Sequence, residues 1–242
     1  MTKRNAAAVL AFAHALAVSA CLSACAQKAP EAARPAPAPI VIAPVKTAAP
    51  AGAYVVDKSH TSVIFRVDHM GFSHFTGRFT RVDVSLTLDP ANPAAATLVA
   101  RIDPNSIDSD NAPKGFMDEL RAAPWFETAK FPDMTFKSTH VELTAPNAAT
   151  ITGDLTMHGQ THPVTLAATF NGGYAGHPMD PHARVGFSAH GALRRSDFGI
   201  SVGVPQPPST FGVGDNVEII IETELSGPAW TPAPAAPAAP AP

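Results

Sequence analysis

Within the stretch from Tyr54 to Asp89 the later half alternates apolar and polar residues with a period of two, and that pattern limits what the chain can fold into. Val82, Val84, Leu86 and Leu88 fall on one side; Arg81, Asp83, Ser85, Thr87 and Asp89 fall on the other. Successive side chains of a strand point to opposite faces, so this run predicts a strand with one dry and one wet face. Just upstream, Val63, Phe65 and Val67 alternate with Ser62, Arg66 and Asp68, although Ile64 interrupts the polar side. The connection between them, MGFSHFTGRF, is rich in Phe and Gly and carries no Lys or Glu. Two amphipathic strands joined in this way predict one wall of a β-container.

The rest of the chain supplies the other walls. Residues 97–103 read as a strand, broken by Asp103-Pro104-Asn105-Ser106. From Ala112 the pattern changes. Pro113 suits a first helical turn, and Phe116, Met117, Leu120, Trp125 and Phe126 have helical spacing, which predicts one helix lying against the sheet or plugging an opening. Extended patterns return at 134–144, 149–157, 163–171, 183–194 and 217–225, with a tight turn at His158-Gly159-Gln160-Thr161 making a hairpin. Asn171-Gly172-Gly173 opens a longer polar loop through Arg184. Many antiparallel strands, one helix and no βαβ rhythm give a mainly β fold, a closed or nearly closed antiparallel barrel. About eight strands leave an interior that side chains fill or that holds one ligand.

The ends read differently. Residues 1–25 resemble an export signal: Lys3 and Arg4, then an apolar run over 6–20 that is short and Ala-rich for a membrane span. The run ends in VSAC and LSAC, each similar to the bacterial lipoprotein cleavage box, so the lipid anchor is expected at Cys25, or else at Cys21. An ordinary secretory leader is the plainer alternative. These are the only cysteines, so no disulfide or thiolate chemistry is expected in the folded part. Loss of the leader takes the formal net charge from −3 to −5, a poor balance for nucleic acid. Six prolines in 28–53 and six in 227–242 predict a Pro/Ala linker over 26–53 and an unfolded tail over 227–242, leaving a domain at 54–226. The expected place is the periplasm, anchored to the outer membrane; Ala26 and Gln27, with no Asp after the cysteine, favour outer-membrane sorting.

Several ordered stretches together resemble the YceI-like family of periplasmic lipid- or polyisoprenoid-binding proteins. They are Tyr54-Val-Val-Asp57 with His60 and Ser62, Phe65 to Gly71, Gly77-Arg-Phe79, Asp118-Glu-Leu120 with Trp125-Phe126, Phe131-Pro132 leading to Phe136, Gly153-Asp-Leu155 to Gly159 with Thr161, Arg195-Ser-Asp-Phe-Gly199, and Gly214-Asp215. No single piece is specific; the ordered set covers essentially all of 54–226. The resemblance implies a lipocalin-like antiparallel β-barrel around a long apolar cavity, with one inserted α-helix, and a long-chain lipid or isoprenoid quinone as ligand. Two stretches depart from the family pattern: Ala112-Pro113-Lys114 before the helix, and Pro205 to Pro208, which stiffens the loop before the last strand.

On this reading the ligand-binding residues are Phe65, Phe72, Phe75, Phe79, Val84, Leu86, Leu120, Phe126, Phe136, Leu155, Phe170 and Phe187. Phe has no polar tip to satisfy, so these rings suit a dry tube; they would equally suit a solid core. His60, Arg194 and Arg195 are candidates for head-group contact, against the plainer reading of a partly buried polar His60 and an Arg194–Arg195–Asp197 salt bridge at a strand end. The histidine pairs His69/His74, His158/His162 and His177/His182 lack the converging ligands of a metal site, and no metal or cofactor is expected beyond the bound lipid. Asp57, Ser59 and His60 lie close together, but without a G-x-S-x-G elbow they do not predict catalysis. The expected function is non-catalytic binding, transport or storage of a long-chain isoprenoid or related lipid. The alternatives are an enzyme acting on that bound lipid, or a cavity-free envelope interaction protein; self-association into a homodimer stays open.

Overall fold

The computed structural model describes residues 42–231. The leader with Cys21 and Cys25, the linker as far as residue 41, and the tail from residue 232 lie outside the described residues.

Three long strands open the fold, and each is bent at a corner. Strand β1 (Gly52–Val56) turns through a 3-10 helix at Lys58–His60 into β2 (Ser62–His69). After a hairpin turn, β3 (Ser73–Phe79) bends at Thr80 and Arg81 into β4 (Val82–Leu88). β5 (Thr97–Ile102) then turns through a second 3-10 helix at Pro104–Ser106 into the short β6 (Ile107–Asp108). Polar side chains build these corners. Asp57 and Asp103 cap their 3-10 helices by accepting from the backbone N–H of Ser59 at 3.0 Å and Asn105 at 2.8 Å. Buried Ser106 accepts from the backbone N–H of Arg81 at 3.0 Å and so ties two adjacent corners together.

The remaining strands are longer: β7 (Met134–Ala145), β8 (Ala148–Met157), β9 (Gln160–Tyr174), β10 (His182–Arg194) and β11 (Val213–Ala229). β7 pairs antiparallel with β5, and each later strand pairs antiparallel with its predecessor in sequence. β11 is long enough to pair with both halves of the first bent strand, Ser226 opposite Val55 in β1 and Ile219 opposite Phe65 in β2, and this closes the ring. Counting each bent pair as one, the barrel has eight strands in simple meander order, as the sequence pattern predicts. The hairpin between β8 and β9 turns on His158 (φ 51°) and Gly159 (φ 75°), two left-handed residues as a type I′ turn requires.

Two elements differ from the sequence reading. The helix, α1, covers only Phe116–Arg121. Gly115 in the left-handed region (φ 83°) prevents it from starting at Pro113, and the chain becomes extended at Ala122, two residues before Pro124. Trp125 and Phe126 therefore sit in the turns that follow. The β9–β10 connection is also shorter than expected, because β9 continues through Gly172 and Gly173 to Tyr174.

The strands at the two ends run a few residues past 54–226: β1 begins at Gly52 and β11 runs to Ala229. Residues 44–49 form a strap across one end: Val45 N–H donates to the Pro146 carbonyl at 2.7 Å, the Thr47 hydroxyl to the Gly173 carbonyl at 3.0 Å, and Ala49 is buried. Trp230 N–H donates to the Pro181 carbonyl at 2.9 Å, so Trp230 too is held to the barrel. The strap, the start of β1 and the β9–β10 connection define the strap end. The β2–β3 turn, α1, the β8–β9 turn and the segment before β11 define the helix end. One buried cluster around Tyr54, Leu88, Val185 and Leu225 belongs to the first, and one around Met134, Phe136, Met157, Phe198 and Ile200 to the second.

Candidate functional site: an apolar cavity along the barrel axis

A cavity of about 560 Å³ runs inside the barrel and is lined almost wholly by apolar side chains. The dry side of every alternating strand points into it: Val82, Val84, Leu86 and Leu88 all line it, as do Val63, Phe65 and Val67. Leu120 of α1, with Trp125 and Phe126 beyond it, covers part of the helix end. Of the residues named from sequence, Phe65, Phe75, Phe79, Val84, Leu86, Leu120, Phe126, Phe136, Leu155, Phe170 and Phe187 line the cavity. Phe72 does not. It lies in the β2–β3 turn and is 84% exposed, because the turn breaks the alternation that brings Phe65 and Phe75 inward.

The rings are arranged along the wall. Phe75, Phe65, Phe79 and Phe126 follow one another with centroid separations of 6.1, 5.5 and 5.8 Å, and Phe116 meets Phe75 edge-on at 5.6 Å. Phe170 and Phe187 pair at 5.4 Å from neighbouring strands. Two glycines make room for this. A Cβ on Gly77 would stand 2.4 Å from Phe65 Cζ, and one on Gly153 would stand 2.4 Å from Phe136 Cζ. The far end of each ring closes over a residue with no side chain, and at Gly153 the Lys137 carbonyl oxygen, 2.6 Å from the same Cβ position, excludes a side chain as well.

Polar atoms on the lining are few. Thr61, just before β2, faces Thr223 of the neighbouring β11, and their hydroxyls bond at 2.8 Å. Arg195 is 5% exposed and lines the cavity, yet its nitrogens are engaged: Nε donates to the Gly214 carbonyl at 2.8 Å, Nη1 to Ile200 at 2.9 Å and Nη2 to Val213 at 2.7 Å. Its guanidinium lies 5.5 Å from the Trp125 ring, and burial pulls its pKa below the ordinary arginine value. This is the chemistry of a brace that fixes the segment before β11 under the barrel.

The other two head-group candidates lie outside the cavity. Arg194 is exposed and pairs with Asp215 at 2.9 Å, not with Asp197 as the sequence suggested. His60 is 58% exposed on the outer wall, its Nδ1 3.0 Å from Asp57. There Arg184 is the organising group. Nη1 donates to Asp57 at 2.5 Å and Glu224 at 3.2 Å, and Nε donates to Asp180 at 2.6 Å. The Arg184 guanidinium, followed by the Ser59 and His60 side chains, holds the Asp57 carboxyl well below the usual carboxylate range.

Asp57, His60 and Glu224 bring their ligand atoms within 4.8 Å of one another, a grouping the sequence reading did not assemble. The guanidinium already supplies the positive charge a metal would bring. The Ser59 hydroxyl bonds Asp57 at 2.7 Å instead of His60, so the three residues do not form a nucleophile–base pair. Of the histidines paired in the sequence, His158 and His162 are half-buried and the others are exposed; the His158 side chain is 13% exposed. His158 is turned toward the Phe198 carbonyl through Nδ1 at 3.0 Å, with Nε2 3.4 Å from Glu127.

A closed antiparallel barrel around an apolar cavity of this size defines the class, a calyx with room for one small apolar ligand. The chain belongs to the YceI-like family: the model of the YceI-like domain matches residues 54–225. A UPF0312 protein of Vibrio cholerae is 39% identical over 157 residues, covering 64% of this chain and 81% of that protein. Protein YceI of Salmonella arizonae is 37% identical over 178 residues, covering 72% and 86%. Among solved structures, BcnA of Burkholderia cenocepacia aligns with a TM-score of 0.59 at 25% identity over 70% of this chain and 98% of its own. A polyisoprenoid binding domain from Saccharophagus degradans shares the fold, with a TM-score of 0.52 at 13% identity over 74% and 99%.

Proposed function

We propose that this protein is a non-catalytic carrier or reservoir that holds one long-chain isoprenoid or related lipid in the barrel cavity. The apolar cavity of about 560 Å³ carries the reading. At about 30 Å³ per non-hydrogen atom, the share of a water in the liquid, it takes on the order of twenty carbons, or roughly four isoprene units. Each buried CH₂ is worth about 0.8 kcal/mol, so one five-carbon unit contributes roughly 3–4 kcal/mol gross. A single head-group hydrogen bond nets about 1 kcal/mol, and the tail therefore dominates. The family membership supports the reading, as does the polyisoprenoid-binding domain of the same fold. Because the Arg195 nitrogens are bonded to carbonyls, an uncharged head such as a quinone or alcohol suits the cavity better than a pyrophosphate.

The leader and LSAC sequence support export to the periplasm and acylation at Cys25, with the outer membrane as the anchoring surface. Organic extraction and native mass spectrometry of the purified protein test the ligand. The expected result is one co-purifying lipid per chain, lost in a folded Phe136→Arg variant, since Phe136 is buried on the lining. Lipid-free protein from a lipid-replete host, or unchanged lipid in the variant, would sink the proposal.

A further inference from the structure

Two large apolar side chains stand out into solvent side by side at the helix end. Phe72 is 84% exposed at the tip of the β2–β3 turn, and Phe211 is 71% exposed in the segment before β11. The backbone holds these tips together: Met70 N–H donates to the Gly212 carbonyl at 2.7 Å, and Gly71 lies against the Thr210 side chain. The tips carry no charge. Residues 70–73 are MGFS, and 199–214 run for sixteen residues without an Asp, Glu, Lys, Arg or His. The nearest carboxylate, Asp68, lies back in β2, where it keeps its charge while accepting from the Gly71 N–H at 2.9 Å. The tips also border the cavity, because His69, Ser73, Phe75 and Val213 belong to its lining, and His69 and Ser73 are themselves exposed.

We propose that this uncharged rim is a docking surface for an electrically neutral lipid bilayer, with Phe72 and Phe211 inserted among the lipids so that an apolar chain passes between bilayer and cavity without crossing water. The inference rests on the cavity being a lipid site. A zwitterionic surface is the partner that fits an uncharged rim on a net-acidic protein; an anionic surface would repel it.

Co-flotation with neutral phosphatidylcholine vesicles tests it, using residues 26–242, which carry every described element and no cysteine to acylate. The expected result is partition of the parent into the vesicle fraction and a roughly 100-fold loss in Phe72→Ser/Phe211→Ser, about tenfold for each ring withdrawn from the apolar layer. Met179→Ser is the control. Met179 is 91% exposed but lies in the β9–β10 connection at the opposite end, so partition should stay within twofold of the parent. Equal partition of parent and double variant overturns the proposal. So does a parent that stays in the lipid-free fraction, or one that is a dimer in solution and becomes monomeric in the double variant. Co-purified lipid is measured separately on the same samples. Lipid retained without vesicle binding overturns only the docking surface, whereas no lipid in any sample overturns the carrier reading itself.

Discussion

Filling the cavity separates a hollow barrel from a solid one. Ala168 in β9 lies opposite Ala189 in β10, and both are buried on the cavity lining. Ala168→Phe adds six carbons, or about 180 Å³ at ~30 Å³ per atom. That is roughly a third of the 560 Å³ available. In a packed core such a gain costs about 1–3 kcal/mol, which for a domain of this size lowers Tm by about 2–12 °C. In a hollow barrel the ring enters vacant space and gains contacts, so the lipid-free variant should melt at or above the parent temperature. The ligand loses what the ring takes: six carbons at about 0.8 kcal/mol each amount to about 5 kcal/mol gross. Even a third of that weakens binding of a four-unit isoprenoid by more than tenfold, while a two-unit chain should bind nearly as well as to the parent. Calorimetric melting of delipidated protein and competition for an environment-sensitive fluorescent lipid read the two effects independently. A fall in Tm with unchanged affinity for the longer chain would refute the reasoning, because the space would then not be where the chain lies.

Three further outcomes follow from single contacts. Gly77→Ala should cost about 1–3 kcal/mol and reduce the length of chain accepted, because its Cβ would meet Phe65 Cζ at 2.4 Å and push the ring into the lumen; urea unfolding and a chain-length series check both. Asp57→Asn should cost about 1–3 kcal/mol at pH 7. The folded Asp57 carboxyl titrates below the unfolded value of about 3.9, so its contribution is full above that pH and is lost as pH falls below it, and the stability curves of parent and variant should converge in acid, as measured by denaturant melts from pH 7 to 2.5. Arg195→Lys should lose about 2–4 kcal/mol, since one ammonium cannot reach three carbonyls in a fixed fork, yet it should keep its co-purifying lipid below the melting temperature; lipid loss from folded protein would restore Arg195 as a ligand contact.

Where side-chain direction follows from period, the sequence was readable. Val82, Val84, Leu86 and Leu88 had to share a face if they were a strand at all, and that face lines the cavity. The eight-strand meander follows from the same alternation in each run. Phe72 misled because a ring in a turn looks no different, in composition, from Phe65 or Phe75 in a strand; only the Met70–Gly71 turn, both residues with positive φ, turns it outward. The strap was hidden for a related reason. Pro44 to Ala49 has no periodicity, and its docking depends on two hydrogen bonds to carbonyls more than a hundred residues away in sequence. Arg195 was identified as special, but its partners are backbone atoms of 200, 213 and 214, which carry no residue-type signal.

Whether the barrel is hollow or solid was the question alternation could not decide, since both interiors need the same apolar face. The cavity of about 560 Å³ answers it, and small residues on the wall help to make the room. Gly77 and Gly153 lie beneath the rings of Phe65 and Phe136, so that each ring covers its own wall and does not reach across. Such a glycine gives up roughly 0.5–1 kcal/mol of strand propensity relative to alanine, which at Gly77 is outweighed by the clash an added Cβ would make with Phe65. At Gly153 an added Cβ would also meet the Lys137 carbonyl oxygen at 2.6 Å, so the neighbouring backbone itself requires glycine there, whereas at Gly77 the nearest atoms all belong to the Phe65 ring. Glycine beneath Phe65 therefore keeps that ring against its own wall, and the volume left along the axis contributes to the protein only when something apolar occupies it.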